Sequence, residues 1–438
     1  MFFAAIRNRI HYYFLCSTIH GLKFLAQPKG SLFEWWLWVA ICAISLSGLC
    51  LVFSASIVSF TQNAVSFTGD TNYIDWNTTF PAVTVCEVVS SEKQWDINEE
   101  VYGSDRNSLL DEYFADISFF TGSCYSCQTS CKDIACPTNF SDITNLYRAT
   151  CNKMLQDCSF NGKKFDCCDR FLPVETEFGI CYSMNSLHTS DKGALILRNN
   201  RSTGPGNLDI TIKEDVKIYL HPPEDVVQQN SEPEIKDLLL WGSKLFILFK
   251  VTEILNDHGL EKLAVSDRHC RFPHEVPENM KAYDFYSHST CIVQCKIDGH
   301  LDICNCTHHL MPKTYADRYC DLDGLICLSE NEALFRHIKT EDTNKPGLKC
   351  DCLPSCEEPE YTWVHSQSSL IDDANGTYVT LSMQSLPTQK YVRKVARTYM
   401  DLVVSLGSSM GLFFGASLLS LVELAYFLCC RRWRHICS

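Results

Sequence analysis

Gly407, Gly411 and Gly415 recur at every fourth residue of Gly407 to Glu423 (GSSMGLFFGASLLSLVE), and Ser405, Ser408, Ser409, Ser417 and Ser420 stand among them. Small residues let helix backbones approach closely, which is the plainest use of the glycines. Close packing alone does not call for five hydroxyls, however, and serine and backbone oxygens are suitable ligands for a hard cation such as sodium. Glu423 closes the stretch. A carboxylate inside an apolar run is costly and usually faces a bundle interior or an aqueous path; near the end of the run it can also reach water at the interface. One such helix cannot enclose a path for ions, so that use requires several copies around an axis. No cofactor is implied beyond the permeant ion.

The element carrying these residues is the apolar run Leu402 to Cys430, interrupted only by Glu423. An earlier run, Trp35 to Phe60, has no ionisable side chain except two cysteines and is long enough to span hydrocarbon as a helix. Trp35, Trp36 and Trp38 read as an interfacial belt. The run begins late and has no small-residue cleavage site close behind it, so a signal peptide is not expected. Arg7, Arg9, Lys23 and Lys29 precede it, and Arg431, Arg432 and Arg434 follow the second run, which predicts two cytoplasmic termini. The expected layout is a cytoplasmic segment 1–32, a span 33–60, an external domain 61–398, a span 399–430 and a cytoplasmic tail 431–438.

Of the 26 cysteines, 20 lie from Cys86 to Cys356, a density that suits disulfides in an oxidising compartment. All five N-x-S/T sequons, at Asn77, Asn139, Asn200, Asn305 and Asn375, fall in the same region. The net charge of −14 argues against nucleic acid as a partner. No nucleophile stands paired with a base, and the histidines lack metal-ligand spacing, so neither an enzyme nor a metal site is expected.

Phe80 to Cys86 alternates as a strand, and Leu208–Ile212 and Phe246–Val251 have strand composition. Ser141 to Cys158 is predicted as a helix with Ser141 as its N-cap. Cys291 and Cys295 lie one helical turn apart, and Cys350 and Cys352 share one face if extended. A helix against an antiparallel strand could then bridge Cys291–Cys352 and Cys295–Cys350 as rungs. Cys304 and Cys306 would sit inside that loop with Cys320 and Cys327, bracketed by Cys270 and Cys356. Zinc held by the C-x-C pairs is the alternative. Spacing alone does not fix connectivity among so many cysteines.

Taken together the chain resembles the degenerin/epithelial sodium channel family, insect pickpocket subunits in particular. The resemblance runs through the His-Gly pair of Ser17 to Gly21 (STIHG), Asn72 to Glu87 (NYIDWNTTFPAVTVCE), Glu177 to Asn185 (EFGICYSMN), Arg268 to Phe272 (RHCRF), Met311-Pro312, Cys350 to Cys356 (CDCLPSC), and the Gly-x-Ser filter motif as Gly415-Ala416-Ser417. It implies two transmembrane helices and a large α+β disulfide-rich ectodomain with palm, finger and thumb. It also implies a homo- or heterotrimer of related subunits in the plasma membrane lipid bilayer, conducting sodium in a voltage-independent, amiloride-sensitive manner. The filter would lie in an extended break of the second helix. His20 and Gly21 would act on open probability, and Val404 aligns with a gating position beside Ser405 and Gly411. The implied bridges are Cys86–Cys181, Cys270–Cys356, Cys291–Cys352, Cys295–Cys350, Cys304–Cys327 and Cys306–Cys320. Cys158–Cys167 is a local candidate, and Cys124, Cys127, Cys131, Cys136, Cys151 and Cys168 are left unassigned.

Nothing in the chain singles out a stimulus, mechanical or ligand. An ATP-gated trimeric channel would want clustered lysines and an Asn-Phe-Arg-like phosphate site, which the chain lacks. A two-span adhesion or receptor protein is the alternative of another class, and the polar second run argues against it. No Pro-Pro-x-Tyr motif occurs in the tail.

Overall fold

The computed structural model describes residues 11–27, 31–62, 65–71, 76–103, 107–189, 196–231, 236–339, 346–357, 359–371 and 375–429. The flanking charges Arg7, Arg9, Lys29, Arg431, Arg432 and Arg434 lie outside these residues. The chain divides into two compact units, one of residues 1–67, 257–268 and 393–438, the other of 68–256 and 269–392.

In the first unit, Leu32–Gln62 is one 31-residue helix with a mean hydropathy of 2.3 over Leu32–Thr61, long and apolar enough to cross a bilayer. The second apolar run is two helices, Tyr399–Phe414 and Leu418–Cys429, with a 78° bend between Tyr399–Phe414 and Leu418–Tyr426. Thr398 and Asp401 start the first of these with reciprocal side-chain-to-backbone bonds, at 3.3 Å and 2.8 Å, that satisfy two otherwise orphaned N–H groups. It packs on Leu32–Gln62 through the Phe60–Tyr399 rings, 5.1 Å apart, and a Ser56–Ser405 hydroxyl pair at 3.2 Å. Gly48 makes room for the Phe413 ring: a Cβ there would stand 2.6 Å from it.

The second unit is α+β. Its principal strands are β1 (Ala82–Glu87), β2 (Leu155–Phe160), β3 (Lys163–Phe165), β4 (Leu172–Thr176), β5 (Gly179–Met184), β6 (Asn207–Ile212), β7 (Val216–His221), β8 (Lys236–Leu239), β9 (Ser243–Thr252), β10 (Glu360–Leu370) and β11 (Thr377–Met383). One sheet has the order β8-β7-β1-β5-β4, the other β10-β9-β11-β6-β2-β3. Within the second, β9 and β11 run parallel and the other pairs are antiparallel. Their apolar faces form one core: Val83, Val85, Ile218 and Leu220 from the first sheet, Ile210, Leu245, Ile247, Phe249 and Leu381 from the second. β1 is buried at every residue, as a central strand covered on both faces must be. β9 alternates buried and more exposed positions because only one of its faces meets the core.

Helices Ser108–Ser118, Tyr125–Asp133, Phe140–Tyr147 and Leu322–Glu330 carry a second core around Tyr113, Ile117, Phe120, Tyr147 and Leu325. The expected Ser141–Cys158 helix is corrected here. Phe140–Tyr147 is helical with Asn139 at its N-cap position, Cys151–Met154 is one further turn, and Leu155 onward belongs to β2. Pairing of β2 with β6 and β3 overrides the local helical spacing.

Ten disulfides use all 20 cysteines from Cys86 to Cys356. Helix His288–Cys304 carries Cys291, bonded to Cys352, and Cys295, bonded to Cys350. Cys304–Cys327 and Cys306–Cys320 lie within that loop, and Cys270–Cys356 encloses it. The segment bearing Cys350 and Cys352 is not a strand; apart from a bridge between Leu348 and Ile338, the two disulfides themselves pin it to the helix. Cys86–Cys181 joins β1 to β5, and Cys158–Cys167 lies beside Cys151–Cys168. Cys124–Cys127 and Cys131–Cys136 staple the Tyr125–Asp133 helix.

Candidate functional site

The 415–417 break is built by its own residues. Gly415 adopts a left-handed conformation, φ 59° and ψ 20°, and its N–H donates to Gly411 O at 2.9 Å while the Ala416 N–H donates to Met410 O at 3.3 Å. This is a glycine helix stop, which leaves few carbonyls without donors. The expected extended break is therefore corrected to a left-handed turn at its first residue. Ser417 then opens the next helix: the Ser420 N–H donates to Ser417 Oγ at 3.3 Å, and the Ser417 N–H donates to Ser420 Oγ at 3.2 Å. Ser417 is thus exposed and also a helix cap, while Ala416 is buried.

A second chain segment meets the break. The His20 N–H donates to Phe414 O at 3.0 Å, and its Nδ1 faces the same carbonyl at 3.2 Å. A Cβ on Gly415 would stand 1.7 Å from His20 Nδ1, so the glycine is needed for this contact as well as for its positive φ. Gly21, at φ 88°, turns the chain into helix Leu22–Ala26, where Phe24 stacks on Trp38 at 4.2 Å and Leu25 O accepts from Trp35 Nε1 at 3.3 Å. The Thr18 hydroxyl lies 2.8 Å from Glu423 Oε2 and 3.1 Å from Ser420 Oγ. Thr18 and Ser420 were not singled out by the sequence reading. Thr18 is about 400 positions from both partners, and nothing in its neighbours marks it.

The remaining candidates separate into two groups. Ser405 is half-buried against Ser56, and Ser408 and Ser409 donate to Ser405 O at 3.0 and 2.7 Å, so those two hydroxyls serve their own helix. Val404 is 61% exposed. Gly407 has no neighbouring atom within 4 Å of its Cβ direction, and Gly411 meets only Ala416 O at 3.9 Å. Of the sequon asparagines, Asn77, Asn139, Asn305 and Asn375 are exposed; Asn200 is half-buried, with its Nδ2 donating to Asn77 Oδ1 at 3.1 Å.

Residues 13–427 match the family described as amiloride-sensitive sodium channel. Among curated proteins the chain is similar to the sodium channel protein Nach of Drosophila ananassae, 24% identical over 94% of this chain and 84% of that one. Pickpocket protein 28 of Drosophila melanogaster is 22% identical over 98% of this chain and 79% of that one. The bile acid-sensitive ion channel of Homo sapiens is 27% identical over 63% of this chain and 57% of that one. With the match extending from the His-Gly segment through the broken helix, this chain belongs to the amiloride-sensitive sodium channel family, whose members are ion channels and not enzymes.

Proposed function

We propose that the chain is a subunit of a sodium-selective, amiloride-sensitive cation channel of the plasma membrane. Three related subunits surround the pore, each spanning the bilayer twice with both termini in the cytoplasm. The observation that carries this reading is the break at Gly415-Ala416-Ser417, held by a left-handed glycine and by His20. Irregular backbone at membrane depth is tolerated where it lines a watery path or is buried in protein. In a threefold arrangement the break would present backbone oxygens and the Ser417 hydroxyl to the axis. The open Gly407 and Gly411 face would meet neighbouring copies. Val404, Ser405 and Gly411 lie on the gating side of the filter, and Glu423 on the inner side.

Sodium–potassium discrimination needs only a few kcal/mol, since about 1.4 kcal/mol is a factor of ten. Replacing Ser417 by larger or acidic residues is therefore expected to shift the bi-ionic reversal potential, while Glu423→Gln changes conductance with little effect on ion ratios. An unshifted reversal potential across several Ser417 variants would place selectivity elsewhere. Variants that lose surface assembly while surviving currents keep their ion ratios would indicate that the break only packs helices.

A further inference from the structure

A cavity of about 350 Å³ lies in the second unit, between the ends of β1 and β7 and the helix Ser108–Ser118 with the loop that follows it. Its walls include Phe119, Phe120, Phe178 and Tyr219, a largely aromatic lining. Two cations, Arg148 and Lys217, reach the same space.

Arg148 is the unusual member. Its Nε donates to Ser118 O at 2.8 Å and its guanidinium lies 4.8 Å from the Phe119 ring centre. Its Nη1 is enclosed by protein and has no hydrogen-bond partner. An unpaired buried donor loses its hydration without replacement, so such a group calls for an acceptor. Burial lowers the guanidinium to about 10, which leaves it charged at neutral pH. Gly179 permits this placement, since a Cβ there would stand 3.2 Å from Nη1.

The carboxylates lining the cavity are engaged elsewhere. Asp116 Oδ2 accepts from the Ser126 N–H at 3.0 Å and from its hydroxyl at 2.6 Å. Glu87 pairs with Lys93 and accepts the Ala149 N–H at 2.7 Å. Lys217, by contrast, is exposed and makes no ion pair among the described residues. An aromatic chamber with a few convergent polar groups is the usual form of a small-molecule site. A guanidinium donor beside an ammonium selects an anion, and a carboxylate matches the planar guanidinium.

We infer that this cavity binds a small amphipathic organic carboxylate, its acid group on Arg148 and Lys217 and its apolar body against Phe119, Phe178 and Tyr219. The ligand would bridge the five-stranded sheet and the helical cluster, which the cavity separates.

The test uses the full-length protein in detergent, with 4-phenylbutyrate as probe and 4-phenyl-1-butanol as its neutral counterpart, read by calorimetric titration and by ligand-induced rise in melting temperature. The carboxylate is expected to bind at least about tenfold more tightly than the alcohol, a ratio in keeping with a charge-assisted hydrogen bond. Arg148→Gln should remove most of that preference and Lys217→Gln part of it. Thr121→Trp, which fills the space, should abolish binding of both probes. Equal affinity for acid and alcohol, or unchanged carboxylate affinity in Lys217→Gln and Thr121→Trp, overturns the assignment even if Arg148→Gln does not fold. Absence of any binding overturns it too and leaves Nη1 to an ordered water only. None of these readouts depends on whether the protein conducts.

Discussion

Gly415 answers to three demands at once: a left-handed backbone, the helix stop, and the space filled by His20. An alanine would meet the first with a cost of roughly 1 kcal/mol, and it would displace His20 outright. Gly415→Ala is therefore expected to abolish current while the protein still reaches the cell surface. His20→Ala clears the space without relieving the backbone, so the double variant should recover part of the lost function. The check is a double-mutant cycle on open probability. Additive single effects would mean that the two residues do not touch in the working channel. The sequence displayed the glycine and the histidine separately. It could not show that they meet, because they are 395 positions apart and neither lies in a periodic pattern that registers the other.

At the scale of elements, buried histidines give the second unit a pH-dependent stability. Burial pushes His300 down to about 3, His309 to about 4 and His188 to about 4, and it holds His308 well below the usual value. The unfolded chain takes up protons on these rings near pH 6.5 while the folded chain leaves them neutral. The stability they confer is thus fully present above pH 6.5 and is lost as pH falls towards 4. At pH 4.5 each ring accounts for roughly 2–3 kcal/mol. His300 packs edge-on against Phe335 at 4.5 Å, so His300→Phe keeps a ring there and removes one titrating group. Melting temperature followed from pH 7.5 to 4.5 should fall less steeply in that variant than in the parent, and an identical slope would refute the assignment. These histidines were passed over in the sequence because they carry no metal spacing; burial, which gives them their effect, is set by distant helices. Element types were easier to read where a single physical constraint dominates. β9 alternates because one face meets the core, and Cys291 with Cys295 marks a helix because both bond one neighbouring segment. Residues 155–158 misled, since their apolar spacing also suits a helix and only pairing with β6 decides the matter.

For the whole molecule the readable features were the apolar runs, the cysteine-rich block and the sequons, and these carry the membrane orientation under the proposed function. Glycosidase treatment of protein from cells should reduce its apparent mass, and epitope tags at either end should be detected only after permeabilisation. A tag accessible on intact cells would reject the two-span topology. Exposure of four of the five sequon asparagines favours modification there; at Asn200 a glycan would have to break the bond to Asn77.

The ten bridges fall into two sets that share no cysteine range: five close between Cys86 and Cys181, and five between Cys270 and Cys356. A ribosome delivers the first set complete before the second has begun to appear. Oxidation during synthesis can therefore proceed in two batches, with every thiol of the first already committed when Cys270 emerges. The sheets do not respect that division, because β2 and β6 share a sheet with β9, β10 and β11. Covalent closure of the early batch thus precedes the strand pairing that completes its core. A nascent chain stalled between residues 181 and 270 would carry its full early complement of cross-links and an unfinished sheet, a species that an oxidoreductase would have no reason to reopen but that a chaperone would still have to hold.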